Sequence, residues 1–265
     1  MTRGSRPALS LVIPAYNEQA RLPFTLSEIQ AYVCGQQLAC EIIVVDNGSR
    51  DATSVVVQQA ASRFPRLRLL RTDRRGKGLA VRTGVLAAQG EVVVYADADL
   101  SWSVEDLPRF VGMVDAGRSP VVIGSREGFG ARRIGEPFYR HLMGRVFNRV
   151  VQGLAVPGVE DSQCGFKAFS RSSAKAVFGL QRVDGFGFDV EALYIARLLG
   201  YECLEAPVRW DDVAGSKVSL WRGMGAFLDL LRVRWNAITR KYHSKAPVRS
   251  IQVPSPWGRP NDPPV

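Results

Sequence analysis

Four times before residue 100, a short run rich in Val, Ile and Leu ends at a polar or charged edge. The runs are LSLVIP at 9–14, EIIVVD at 41–46, LRLLR at 67–71 and VVVYA at 92–96. Between them lie stretches of helical apolar spacing at about 20–33, 51–62 and 78–88. Parallel neighbours need a long crossover, and a crossover helix packs back onto the sheet. Strand and helix alternating at this interval therefore predict an α/β fold with a mostly parallel sheet covered on both faces. A helix over 104–116 and a strand over 121–124 continue the pattern.

The second half changes character. Between 126 and 149 there are six arginines against two glutamates, with a helical run over 138–151. A strand is expected over 164–169, helices over 172–178 and 189–199, and a strand over 201–210. A long amphipathic helix is expected over 220–242, before a Pro-rich tail at 246–265. Neither a repeat nor a linker divides the chain, so one domain is expected over 1–245.

Thirty-five Lys plus Arg against twenty-five Asp plus Glu give a formal charge of +10, which favours an anionic partner. Nucleic acid is one such class, but no zinc-knuckle spacing or aromatic RNA-binding signature accompanies the arginines. Cys34, Cys40, Cys164 and Cys203 lack paired metal spacing, and there are two histidines, so a Cys/His zinc site has little material. Free thiols in a reducing compartment are expected. No stretch approaches the roughly 18 apolar residues a membrane span needs, and MTRGSRPALSLVIP has too short an apolar core for a secretory signal. The expected location is cytoplasmic, with any membrane contact peripheral.

In an open parallel sheet, ligands bind beyond the carboxyl ends of the strands. Those ends carry Tyr16 and Glu18, then Asp46, then Gly76-Lys77-Gly78 as a flexible cationic turn, then Asp97 and Asp99. An aromatic ring, acceptors for a base or ribose, a cation and a carboxylate pair suit a nucleotide with its phosphates. The first turn has no glycine-rich phosphate loop, so it is neither a P-loop nor a dinucleotide fingerprint. In an extended strand Asp97 and Asp99 point to the same side. Two such carboxylates repel unless a cation joins them, and Mg²⁺ or Mn²⁺ bridging to diphosphate oxygens relieves that. The competing reading makes Asp99 or Ser101 a helix cap and binds Asp97 to backbone amides.

VIPAYNE, DNGSRD, GKG, YADADLS, GSR, DSQCGFKAF, GFDVE and PVRWDDVAGSKVS follow one another across residues 9–219. This ordered series resembles the GT-A-fold inverting glycosyltransferases, in particular the dolichyl-phosphate glucosyltransferases and related polyprenyl-phosphate sugar synthases. The resemblance implies hexose transfer, with UDP-glucose the favoured donor and a polyprenyl phosphate the acceptor, and it divides the chain into a nucleotide-sugar half at about 8–125 and an acceptor half at about 126–245. On the donor side it implies Pro14, Ala15, Tyr16, Glu18 and Asp46 around the nucleoside. Lys77 would reach toward the ribose and phosphates, Gly76 and Ala98 would join it in binding the donor, and Arg209 and Lys217 would sit on a loop over the diphosphate. Asp97 and Asp99 match the metal-binding D-x-D segment. The same likeness places Asp161 and Gln163 among catalytic groups. It places Ser125, Arg126, Arg140, Arg145, Lys167, Asp189 and Glu191 on the acceptor side, although a helix-cap role competes for Asp189 and Glu191.

A lipid phosphate is already ionised and attacks without a general base; a hydroxyl acceptor would need one, with Asp161 the candidate. Family members often carry a membrane anchor. Here Phe138, Leu142, Val146, Phe147 and Val150 with Arg140, Arg145 and Arg149 form one amphipathic face; Leu220, Met224, Phe227, Leu228, Leu231 and Trp235 form another. Either can lie on an anionic membrane surface, pack on the sheet, or meet a second copy or a membrane-protein partner. The rival functions are a transferase acting on a small hydroxylated or phosphorylated acceptor, and a basic nucleic-acid-binding module.

Overall fold

The computed structural model describes residues 7–127, 129–134, 138–211 and 220–242, with the backbone alone for 132–134, 138–143, 146–147, 220–224 and 226–227. Strands β1 (Leu9–Ala15), β2 (Cys40–Asp46), β3 (Leu67–Arg71) and β4 (Val92–Ala96) are joined by helices α1 (Leu22–Gly35), α2 (Thr53–Arg63) and α3 (Lys77–Ala87). Helix α4 (Asp106–Asp115) leads to β5 (Val121–Ser125), a short β6 (Arg132–Ile134) and α5 (Phe138–Leu154). Then come β7 (Phe166–Ser170), α6 (Arg171–Leu180), α7 (Phe188–Leu198), β8 (Cys203–Pro207), β9 (Arg209–Asp211) and α8 (Leu220–Ile238).

The main sheet has the order β3-β2-β1-β4-β7-β5-β8. Period-two alternation sends neighbouring residues of each strand to opposite layers. Val12, Ile43, Val45, Val93, Tyr95, Val121 and Ile123 face α3, α6 and α7. Leu11, Ile13, Ile42, Val44, Val92, Val94 and Val122 face α1, α2 and α4. Strands buried on both faces are why the runs read as nearly continuous Val and Ile. The architecture is the GT-A arrangement expected above.

Two departures matter. β7 runs antiparallel to both β4 and β5, pairing Tyr95 with Lys167 and Ile123 with Lys167. The single strand expected over 201–210 is two strands: β8 joins β5, while β9 leaves the sheet at Val208 and pairs with β6. The sheet order turns back at β1, which has β2 on one side and β4 on the other. In open α/β sheets, ligands bind in the crevice at such a reversal. Cys34, Cys40, Cys164 and Cys203 are free, and burial pushes the Cys40 and Cys164 thiols up to about 12.

Candidate active site

The first turn beyond β1 is built by hydrogen bonds to the turn beyond β2. The Asn17 N–H donates to Ser49 Oγ (2.9 Å), and Asn17 Oδ1 accepts from the Arg50 N–H (2.8 Å). The Glu18 N–H donates to Thr53 Oγ1 (2.8 Å), while its carboxylate receives Arg21 at 2.8 and 3.0 Å. Ala15 is buried, and Pro14 and Tyr16 are half-buried. The Arg75 guanidinium lies 4.0 Å from the Tyr16 ring centroid. Asp46 braces the turn that follows it. Its Oδ1 accepts from the Ser49 N–H (2.9 Å), and Oδ2 accepts from the Ser54 hydroxyl, which in turn accepts from Arg71 Nε (2.9 Å).

The Gly76-Lys77-Gly78 turn is packed tightly, contrary to the flexible turn expected. A Cβ on Gly76 would sit 2.4 Å from the Asp184 carbonyl oxygen, and one on Gly78 would sit 2.6 Å from Val183 O. The N–H of Gly78 donates to Asp184 O at 2.9 Å, and the N–H of Gly76 donates to Asn47 Oδ1 at 2.8 Å. Glycine is needed there for close approach of backbone to backbone. The first turn of α3, and with it Lys77, is held in place.

Asp97 and Asp99 lie past the end of β4, with Asp99 in a turn. The strand geometry expected for them is therefore replaced by a turn that closes at Leu100, whose φ is +53°. The Ser101 N–H donates to Asp99 Oδ1 (3.1 Å), and the indole N–H of Trp102 donates to the Asp97 carbonyl (2.9 Å). Lys77 Nζ is 2.6 Å from Asp97 Oδ1, with both side chains roughly one-quarter exposed at 22% and 24%. On the other side, a Cβ on Gly165 would fall 2.1 Å from Asp97 Oδ2. Gly165, which sequence reasoning passed over, is thus the floor against which this carboxylate rests; its place in CGF just before an apolar strand was the available signal.

Burial and then the Asp97 charge raise the Asp99 carboxyl. Burial lowers the Lys77 ammonium, but Asp97, Asp189 and Asp99 together more than offset this and leave it raised. This is a site short of positive charge. Among the described residues no three His, Cys, Asp or Glu side chains converge to hold an ion by themselves. Two carboxylates completed by diphosphate oxygens form the hard, all-oxygen set that Mg²⁺ and Mn²⁺ take, so the residues fit such an ion.

The acceptor-side expectations fare differently. Asp161 is fully buried. The Arg126 guanidinium donates to Asp161 Oδ2 (2.7 Å) and Oδ1 (2.8 Å), and the Arg126 backbone N–H donates to Oδ2 (2.9 Å). Burial raises this carboxyl, yet the charge and hydrogen bonds of Arg126, with Lys167 behind, hold it below the ordinary value. Lys167 is also fully buried, its ammonium donating to Asp189 Oδ1 (2.6 Å) and to the Cys164 carbonyl (2.6 Å). The Tyr95 hydroxyl donates to the same Asp189 oxygen at 2.7 Å. Glu191 accepts from the backbone N–H groups of Arg182 and Val183 and from the Tyr242 hydroxyl (2.6 Å).

These contacts tie β4, β7, α7 and the 161–165 loop together, and Asp189 also lies near enough to act on the Lys77 ammonium. The antiparallel entry of β7 is the physical reason: it turns Lys167 toward Tyr95 and α7. Ser125 ends β5 with its hydroxyl at the Glu127 backbone, and Gln163 is half-buried in the adjoining turn. Arg145 is exposed on α5, and Arg209 is exposed and paired with Asp211 at 3.2 Å. The Arg140 side chain and Lys217 lie outside the described residues. β9 reaches the D-x-D turn directly, the Asp211 N–H donating to Ser101 O (2.9 Å). Beside that turn opens a groove of about 680 Å³ whose walls include Phe24, Leu100, Trp102, Val104, Pro207 and Arg209.

Comparison with known proteins agrees with this fold. The family model described as glycosyl transferase family 2 matches residues 10–178. The chain is 35% identical over 246 residues to the human dolichyl-phosphate beta-glucosyltransferase, covering 87% of this chain and 76% of that protein. Its fold is shared with crystal structures of glucosyl-3-phosphoglycerate synthase from Mycobacterium tuberculosis. The complex with phosphoglyceric acid superposes with a TM-score of 0.66 at 21% identity, covering 86% of this chain and 80% of that one. The complex with Mn²⁺, UDP-glucose and phosphoglyceric acid gives 0.63 at 21% identity, over 89% and 80%.

Proposed function

The chain belongs to glycosyl transferase family 2 and is a nucleotide-sugar-dependent glycosyltransferase, and from that premise we propose that it transfers glucose from UDP-glucose to a phosphate-bearing acceptor. The observation that carries the phosphate is the state of Asp161. A general base needs a lone pair within reach of the acceptor and an affinity for protons near the working pH. Asp161 is fully buried, bidentate to Arg126 and lowered in proton affinity, so it serves poorly in that role. Asp189 and Glu191 are engaged by an ammonium, two hydroxyls and backbone N–H groups. An acceptor phosphate, already ionised, asks for no base.

In this reading the donor lies in the crevice between the β1 and β4 ends, with Tyr16 beside the nucleoside and Asp97 and Asp99 toward the diphosphate. A Mg²⁺ or Mn²⁺ ion held by those two carboxylates would neutralise charge building on the leaving diphosphate. Lys77 adds a cation at the same place, and Gly165 and Ser101 hold the carboxylates in position.

Two acceptors carry the required phosphate. A polyprenyl phosphate follows the human relative, whose name specifies dolichyl phosphate. The groove beside Leu100 and Trp102 offers its chain an apolar wall, and α8 exposes Leu228, Leu231, Trp235 and Ile238 at 61–69% on one face, with Arg232 and Arg234 exposed nearby. Such a face suits the headgroup layer of an anionic membrane; no helix among the described residues is long and apolar enough to cross one. A small phosphorylated acceptor is the second reading, favoured by the phosphoglyceric acid bound in the structures that share the fold. Incubation with UDP-glucose, Mn²⁺ and a panel of acceptors, read by product mass, tests both. Transfer to short-chain polyprenyl phosphate or to a small phosphorylated acceptor identifies the source. Transfer only to unphosphorylated alcohols contradicts the proposal.

A further inference from the structure

The Lys77–Asp97 contact has a consequence beyond holding the donor, and it rests on Asp97 and Asp99 serving as metal ligands. Lys77 is the first residue of α3, its backbone fixed by Gly76 against Asn47 and by Gly78 against Asp184. From that fixed turn its side chain reaches Asp97 Oδ1 at 2.6 Å, with 22% of its surface exposed. Asp97 rests on Gly165 through its other oxygen. One of the two carboxylates thus already has a cation.

A divalent ion arriving alone would have to compete with this ammonium. It would leave Lys77 half-buried beside a doubly charged ion, with like charges in contact range. An arriving nucleotide diphosphate changes the balance, because its oxygens give Lys77 a new anionic partner and give the ion further ligands. We propose that Lys77 is an exchangeable counter-ion for Asp97, passing to the donor diphosphate as the divalent ion takes its place, so that ion and nucleotide bind as a coupled pair. The residue is a positioning group for the metal, and the coupling is a property of this side chain rather than of the carboxylates alone. By linkage, the factor by which UDP tightens Mn²⁺ equals the factor by which Mn²⁺ tightens UDP.

The test is Mn²⁺ binding to the full chain, followed by the electron paramagnetic resonance signal of free Mn²⁺, with and without UDP. Wild-type protein should bind Mn²⁺ weakly alone and tighten with UDP by about 5- to 150-fold, the usual span of such coupling. Lys77→Met and Lys77→Gln, each checked for a folded circular dichroism spectrum, should bind Mn²⁺ alone about tenfold more tightly and lose most of the coupling, as expected when a competing like charge is removed. Lys77→Arg, which keeps a cation, should retain it. Wild-type protein that binds Mn²⁺ equally well with and without UDP overturns the inference, whether or not the variants fold. Unchanged Mn²⁺ affinity in both neutral variants does the same while leaving the metal reading intact. No Mn²⁺ binding to wild-type protein even with UDP overturns the metal reading itself.

Discussion

Two sets of ion pairs, an open one at the front of the crevice and a buried one at its back, look alike in composition and differ in exposure. At the crevice, Lys77 meets Asp97 with each side chain about one-quarter exposed. Behind it, Lys167 meets Asp189 and Arg126 meets Asp161, with Lys167 and Asp161 fully buried. A buried pair is expensive to form and more expensive to break, since removing one partner strands a charge without water. A partly exposed pair can trade partners, because solvent and ligand both stand ready to replace the lost contact. On the proposed function, the back pairs hold the crevice in shape and the front pair meets the donor.

The sharpest way to break this contrast is Lys167→Met. It strands Asp189 against the Tyr95 hydroxyl and should destabilise the fold by about 3–5 kcal/mol, measured by urea unfolding; a loss below about 1 kcal/mol, the range of exposed pairs, would remove the distinction. Asp161→Asn should also destabilise, and it should change the pH dependence. The folded-state pKa of Asp161 lies below its unfolded value. Its contribution is therefore present above the unfolded value and lost as pH falls through the folded one. Wild-type stability should drop on acidification in that window, and the asparagine variant should show a flatter profile; identical slopes would contradict the assignment.

Asp99→Asn is expected to act in the opposite sense to Lys167→Met. Loss of a group that stabilises developing charge costs about 100-fold or more in turnover. Stability should not fall, because burial and Asp97 already disfavour the charged carboxyl. Steady-state kinetics beside a thermal melt separates the two effects. The smallest change belongs to Arg209→Ala, whose exposed pair with Asp211 should contribute about 0–1 kcal/mol to folding. If kinetics shows a raised KM for UDP-glucose, Arg209 belongs with the front pair; if neither quantity moves, it is a solvated surface charge.

Much of the front was legible from sequence, because strand ends announce themselves. Val- and Ile-rich runs have few ways to be buried except as central strands, and the polar residues following them fall at one edge of the sheet. β3 and β4 have the bounds expected, and Lys77, Asp97 and Asp99 do converge. The back was illegible for a physical reason. FKAFS has the same period whichever way it runs, and only the antiparallel pairing with β4 brings Lys167 opposite Tyr95. With β7 direction unknown, the buried contacts of Lys167, Asp189 and Glu191 could not be read from sequence. The 201–210 run likewise carried no sign that Val208 would break it into β8 and β9. Asp229 is the exception: the lone acid in a basic helix, it turns out to accept from the Gly187 N–H at 3.0 Å, at the start of α7. The nucleic-acid alternative is set aside by family membership.

A structure with UDP and Mn²⁺ bound tests the front-and-back account most directly. The account predicts Asp97 and Asp99 on the ion, the Lys77 ammonium moved from Asp97 to a phosphate oxygen, and Lys167 still at Asp189. An occupied nucleotide site with Lys77 unmoved on Asp97 and the ion held elsewhere would contradict it.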